Sequence, residues 1–208
     1  MMSSIKRGAR STIAPLAGWL GKRGVHPNTL TLLGLLFAGI TAVLLAQGRL
    51  RLALIPYTLS GLADMLDGAV ARATGRGSAF GAALDSTVDR VAEGVVLGGL
   101  LLGLLNAPPG GTVLCVSSIL LFLISSFLVS YTRARAEGLG LECTVGWMER
   151  PARLVLLAIL LLLGRSVLLP GLIILGLLTT WTVIQRMIHI SHEVGRLARN
   201  EKTRKVAP

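Results

Sequence analysis

The sequence predicts an all-α integral membrane protein, with six transmembrane helices and an N-terminal amphipathic helix lying in the membrane interface. Three observations carry that expectation. Hydrophobic residues fill 52% of the 208 positions and charged residues only 15%, and the mean hydropathy is +0.71, far too apolar for a soluble domain of this length. The apolar residues are gathered into runs, each able to cross ~30 Å of hydrocarbon at about 1.5 Å per residue. Short polar breaks containing glycine or proline separate the runs.

Residues 1–26 form the interfacial segment. Lys6, Arg7, Arg10, Lys22 and Arg23 are mixed with Ile5, Ile13, Leu16, Trp19 and Leu20, which suits a helix with its apolar face in the headgroup region. Pro15, Gly18 and Lys22 interrupt the apolar run, so the segment does not read as a signal peptide. A membrane domain over 27–190 follows, with runs near 29–47, 52–73, 79–105, 112–136, 151–167 and 169–189. The breaks are Gln47-Gly48-Arg49, Gly75-Arg76-Gly77, Asn106 to Gly111, Gly138 to Trp147, and Arg165 to Pro170. Pro27 and Asn28 suit the start of the first helix. Residues 191–208 form a basic tail. There is no tandem repeat and no second soluble domain.

The net charge is +11, but aromatic residues make up only 4% and do not interleave with the basic ones. Nucleic acid is therefore not the expected partner; anionic membrane lipids are. With six crossings, the termini and the loops after the second and fourth runs share one side. All of the 21 Lys and Arg except Arg49, Arg51 and Arg165 fall on that side. The positive-inside rule makes it cytoplasmic, in a multi-pass protein of the cell membrane. Cys115 and Cys143 have neither metal-ligand spacing nor the pattern of a disulfide framework, and read as plain thiols.

One polar stretch stands out, from Asp64 to Asp89. Asp64 and Asp67 lie at i,i+3 and Asp85 and Asp89 at i,i+4, so each pair shares a helix face. The turn at 73–79, with Gly75 and Gly77, lets the two helices run antiparallel and gathers four carboxylates into one small volume. Such a cluster repels itself unless it takes up protons or cations. Oxygen ligands without His or Cys favour Mg²⁺, Mn²⁺ or Ca²⁺ over zinc. Intramembrane acids also mark cation transporters.

The stretch reads Asp64-Met65-Leu66-Asp67-Gly68-Ala69-Val70-Ala71-Arg72, then eight residues, then Gly81-Ala82-Ala83-Leu84-Asp85-Ser86-Thr87-Val88-Asp89. It resembles the signature D-x2-D-G-x2-A-R-x8-G-x3-D-x3-D of the CDP-alcohol phosphatidyltransferases, with every fixed position filled. The resemblance implies two metal ions per site, Mg²⁺ with Mn²⁺ as the alternative. It also implies a CDP-linked lipid as donor, CDP-diacylglycerol or its archaeal counterpart CDP-archaeol. Asp64, Asp67 and Asp85 are then expected as metal ligands. Asp89 is expected both at the second metal and as the general base for the acceptor hydroxyl. Gly68, lacking a side chain, would let the nucleotide approach the helix. Arg72 would pair with a phosphate, and Gly81 would play the part of Gly68 from the second helix. Ser78 suits either a phosphate or cytosine contact or a helix cap. The family has a similar Pro-Asn-x-x-Thr segment that helps hold the CDP moiety, so Pro27, Asn28, Thr29, Leu30 and Thr31 are expected to line the donor site. Gly68 and Arg72 suit a nucleotide and argue against an ion path, and the complete set of aspartates argues against an inactive scaffold.

A second cluster is basic: Arg133 and Arg135 near 136, Arg150 and Arg153 at the start of the fifth run, and Arg186 in the last. Snorkelling accounts for part of it. A phosphorylated polyol acceptor accounts for more than free serine or inositol would. Ser130-Tyr131-Thr132-Arg133-Ala134-Arg135-Ala136-Glu137, Glu149-Arg150-Pro151-Ala152-Arg153 and Phe80 to Arg90 are similar to segments of the prokaryotic phosphatidylinositol-phosphate synthases. Ala152 departs from that pattern, where an acid is expected. The resemblance implies transfer to inositol phosphate; glycerol 3-phosphate satisfies the arginines equally well. It also implies a homodimer, to which the pairs Gly94-x3-Gly98 and Gly99-x3-Gly103 are assigned as packing seams. His26, His189 and His192 read as interfacial residues rather than a metal site.

Overall fold

A computed structural model of the chain describes residues 14–106 and 108–206. Lys6, Arg7, Arg10, Ile5 and Ile13 of the expected interfacial segment lie outside the described residues, as does the end of the basic tail.

The described residues form seven helices and no strand. They are α1 (helical over 14–22), α2 (Pro27–Ala46), α3 (Leu50–Thr74), α4 (Ala79–Leu105), α5 (Thr112–Gly138), α6 (Arg150–Leu163) and α7 (Arg165–Val206). Three are long and apolar enough to cross a membrane: Pro27–Ala46, Thr112–Gly138 and Arg165–Leu197. The expected second and third spans, α3 and α4, are 25 and 27 residues long, but each carries four charged residues. The fifth, α6, has only 14 residues, or about 21 Å of helix at the usual rise.

The last break differs from the expectation of a boundary at Arg165 to Pro170. It falls at Gly164, whose φ of 94° and ψ of −174° suit only glycine. Pro170 lies inside α7, close enough to its start that it forfeits one backbone hydrogen bond near a helix end. The basic tail continues α7 as helix to Val206 instead of forming a separate segment.

The chain divides into two compact units, residues 1–107 and 108–208. In the first, α2 packs against both α3 and α4. The buried stripe of α2 follows a 3–4 spacing through the small residues Thr31, Gly34, Ala38 and Thr41 to Leu45. Ser60 Oγ of α3 donates to Gly34 O at 2.8 Å, tying the two helices across their contact. On the α4 side, a Cβ at Gly99 would collide with the Ala42 backbone, and one at Gly103 with Leu45 O. The Gly99–Gly103 pair is thus consumed by α2–α4 packing, and not by the dimer seam expected of it. Gly98 is exposed and has open space where its Cβ would be. α1 seats Ala17, fully buried, against Leu30 and Val70.

In the second unit, α5 and α6 pack against α7. Arg153, Leu157 and Leu161 form the buried face of α6 at i,i+4,i+8. Leucines 168, 172 and 175 of α7 are buried as well. The segment between α5 and α6 is held by its own small core, Leu141 and Cys143 against Ala136.

Candidate active site

The signature helices meet as the spacing requires. α3 ends at Gly75 in the left-handed conformation, φ 66°, where a side chain would be strained. Ser78 then caps α4, its Oγ accepting from Gly81 N–H at 2.9 Å. This four-residue connection returns the chain so that Asp85 of α4 faces Asp64 and Asp67 of α3. Ligand oxygens of these three carboxylates all lie within 4.8 Å of one another. Asp67 is buried, 5% exposed; Asp64 and Asp85 are half-buried.

Asp89, expected in the same volume, is not part of that group. It lies one turn further along α4, half-buried, with Oδ2 accepting from Arg90 Nη1 at 3.4 Å. The adjacent guanidinium offsets its charge.

The residues expected to hold the donor divide into two sets. Arg72 folds back over Gly68: a Cβ there would sit 3.3 Å from Arg72 Nη1, so the glycine makes room for the guanidinium. At the start of α4, a Cβ on Gly81 would lie 3.1 Å from Ser78 Oγ and 3.2 Å from Asn28 Oδ1. The N-termini of α2 and α4 therefore converge, and Asn28, Ser78 and Gly81 form one polar rim, while Thr29 is exposed. The second set faces the interior. Leu30 is 7% exposed and packs on Ala17 and Val70, so it belongs to the core, because α1 covers that face. Pro27 is buried at the first turn of α2. Thr31 is buried too, and its hydroxyl donates to Asp67 Oδ2 at 2.7 Å. His26, read as an interfacial residue, is the N-cap of α2: its Nδ1 accepts from Asn28 N–H at 3.4 Å.

The arginines of the second unit also divide. Arg133 is exposed and paired with Glu137 at 2.8 Å, one turn along α5, which accounts for it without an acceptor. Arg135 is exposed at the last turn of α5. Arg150 is half-buried at the first turn of α6. Arg153 and Arg186 are both 2% exposed. Arg153 Nη1 donates to Met148 O at 2.8 Å. Arg186 donates from Nε to Val145 O at 3.0 Å and from Nη1 to Val129 O. Thr182 Oγ1 accepts from Met148 N–H, and His189 Nε2 donates to Glu142 O. The loop preceding α6 is thus pinned by side chains of α6 and α7. Two buried guanidiniums are directed at residues 145–148.

Residues 24–188 match the family model of the CDP-alcohol phosphatidyltransferases. The chain belongs to that family. It is 37% identical over 194 residues to archaetidylinositol phosphate synthase of Methanothermobacter thermautotrophicus, covering 91% of this chain and 94% of the relative. It is 40% identical over 196 residues to phosphatidylinositol phosphate synthase of Streptomyces avermitilis, covering 87% and 78%. Its structure is similar to that of Mycobacterium tuberculosis phosphatidylinositol phosphate synthase with CDP-DAG bound, at a TM-score of 0.75 and 32% identity over 86% of this chain and 92% of that one. The same enzyme in complex with manganese and citrate gives a TM-score of 0.76 over 86% and 88%.

For a CDP-alcohol phosphatidyltransferase the carboxylate group fits a hard divalent cation. It offers oxygen donors alone, close enough together to share a divalent ion. What the sequence reading missed was the use of Thr31 and His26. Thr31 follows Pro27 by four residues, on the buried stripe of α2; that period was its available signal.

Proposed function

We propose that the protein transfers the phosphatidyl or archaetidyl group of a CDP-linked lipid to inositol phosphate, with release of CMP. The observation that carries this reading is the approach of Asp64, Asp67 and Asp85 to within 4.8 Å, beside a glycine over which a guanidinium lies. The names of the relatives support inositol phosphate as the acceptor. Arg72, with its guanidinium over Gly68, pairs with a phosphate of the CDP moiety, and the rim of Asn28, Ser78 and Gly81 takes the rest of it. Arg153 and Arg186 hold the acceptor phosphate, assisted by Arg150 and Arg135. Asp89 accepts the proton of the acceptor hydroxyl. That oxygen forms a bond to the β-phosphorus of the donor while the bond from phosphorus to the CMP oxygen breaks. Two Mg²⁺ ions held by Asp64, Asp67 and Asp85, or Mn²⁺ in their place, supply neutralisation of the diphosphate charge. We assign Asp89 to the proton in preference to the second ion because it stands outside the three-carboxylate group.

The same reading gives six crossings, α2 to α7, with both termini, the aspartates and the loop before α6 on the cytoplasmic side. α1 supports an interfacial position: Leu16 and Trp19 are each 48% exposed, and the Arg23 guanidinium lies 3.9 Å over the Trp19 ring. That face suits anionic lipid headgroups. The assembly is a homodimer.

Metal dependence tests the reading. CMP release from a CDP-lipid should vanish in chelator and return with Mg²⁺ or Mn²⁺. Undiminished release in chelator would remove the carboxylate cluster from the chemistry.

A further inference from the structure

We infer that Thr31 is a positioning residue for the metal-ligating carboxylate of Asp67, and not a contact for the nucleotide. The inference rests on the reading of Asp67 as a metal ligand. Thr31 is 6% exposed and Asp67 5%, and the hydroxyl of the one is turned to the carboxyl of the other. Between them runs a hydrogen bond of 2.7 Å, from Thr31 Oγ1 to Asp67 Oδ2. A hydroxyl has one proton. The other acceptor within reach, Pro27 O, is at 3.3 Å, the ordinary back-bond of a helical threonine. The shorter contact to the anionic oxygen takes the proton, and charge-assisted bonds of this kind are the stronger ones.

The helices that carry the pair are themselves fixed. Leu30, next to Thr31, and Val70, one turn beyond Asp67, are packed in one cluster under Ala17 of α1. The donor and the acceptor therefore belong to a rigid contact between α2 and α3, and the bond sets the rotation of the Asp67 carboxyl. A carboxylate held through one oxygen presents the other in a fixed direction. Partners of this kind around a metal ligand typically contribute 10- to 100-fold in metal affinity.

The test is direct binding of Mn²⁺ to the purified full chain in lipid nanodiscs, without CDP-lipid, followed by loss of the free-ion electron paramagnetic resonance signal. Thr31→Val keeps the side-chain volume and removes the hydroxyl; Thr31→Ala removes it without risk of overpacking. Both should weaken Mn²⁺ binding about 10- to 100-fold. Thr31→Ser, which keeps the hydroxyl, should restore most of the affinity. Asp67→Asn in parallel should abolish binding. If Asp67→Asn abolishes binding while Thr31→Val and Thr31→Ala bind as the unmodified chain does, the positioning role is wrong and the metal reading stands. A Thr31→Ser variant as weak as Thr31→Val would also overturn it, since the hydroxyl would not be the cause. Unchanged binding in Asp67→Asn would end the metal reading, and the inference with it.

Discussion

At the scale of single residues, Asp67 and Asp89 carry the same functional group in different settings. Asp67 is buried, hydrogen-bonded by Thr31 and grouped with two other carboxylates. Asp89 stands apart with Arg90. The two should therefore fail differently. Asp89→Asn should lower kcat by about 10²- to 10⁴-fold, the usual contribution of a general base, while Mn²⁺ binding is little changed. A loss of Mn²⁺ binding equal to that of Asp67→Asn would make Asp89 a ligand instead. The aspartates were legible in the sequence because four acids at helical spacing have few uses in an apolar chain. The neighbours were less so. Leu30 and Thr31 fall within a stretch that reads as one continuous strip, and only α1 packing on Leu30 and Asp67 reaching Thr31 separate a core residue and a positioning residue from the exposed Thr29 beside them. Arg186 was legible as a cation but not as one whose guanidinium bonds two carbonyls from other segments, because those partners are far off in the sequence.

At the scale of elements, glycine spacing on α4 marked a close helix contact but not the identity of its partner. Gly99-x3-Gly103 proves to face α2, whose Ala42 and Leu45 backbones leave no room for a Cβ. The contrast with Gly98 gives a paired test. Replacing a helical glycine with alanine gains about 0.8–1 kcal/mol of intrinsic propensity. Gly98→Ala, in open space, should keep or raise the thermal stability of the protein. Gly103→Ala should lower it in spite of that gain, since overpacking a fitted contact costs about 1–3 kcal/mol. Thermal unfolding in the same lipid or detergent compares the two; equal stability would mean that α2 and α4 do not approach as described. Helix boundaries were readable to within a few residues wherever glycine turned the chain, as at Gly75. Pro170 misled, because α7 absorbs it in its second turn at the loss of one backbone hydrogen bond, and Gly164, six residues earlier, supplied the true break. The fifth run, expected over 151–167, ends at Leu163 for the same reason.

At the scale of the whole molecule, composition alone indicated a membrane protein, and charge distribution suggested its orientation. The carboxylates lie in the first compact unit and the buried arginines in the second. Local spacing exposes the carboxylates, which lie within one helical hairpin. The arginines come from α5, α6 and α7 and are read only through the anion they would need. The acceptor is therefore where the account is most exposed. The most direct measurement is CMP release by the purified chain with a CDP-lipid and Mg²⁺, offered inositol phosphate, glycerol 3-phosphate, serine and free inositol in turn. A phosphate that engages two guanidiniums forms at least two charge-assisted hydrogen bonds, each worth about 1.5–3 kcal/mol. The account predicts that inositol phosphate exceeds free inositol by about 100-fold or more in kcat/KM and is the best acceptor of the four. Equal turnover with free inositol, or preferred turnover of glycerol 3-phosphate or serine, would contradict it.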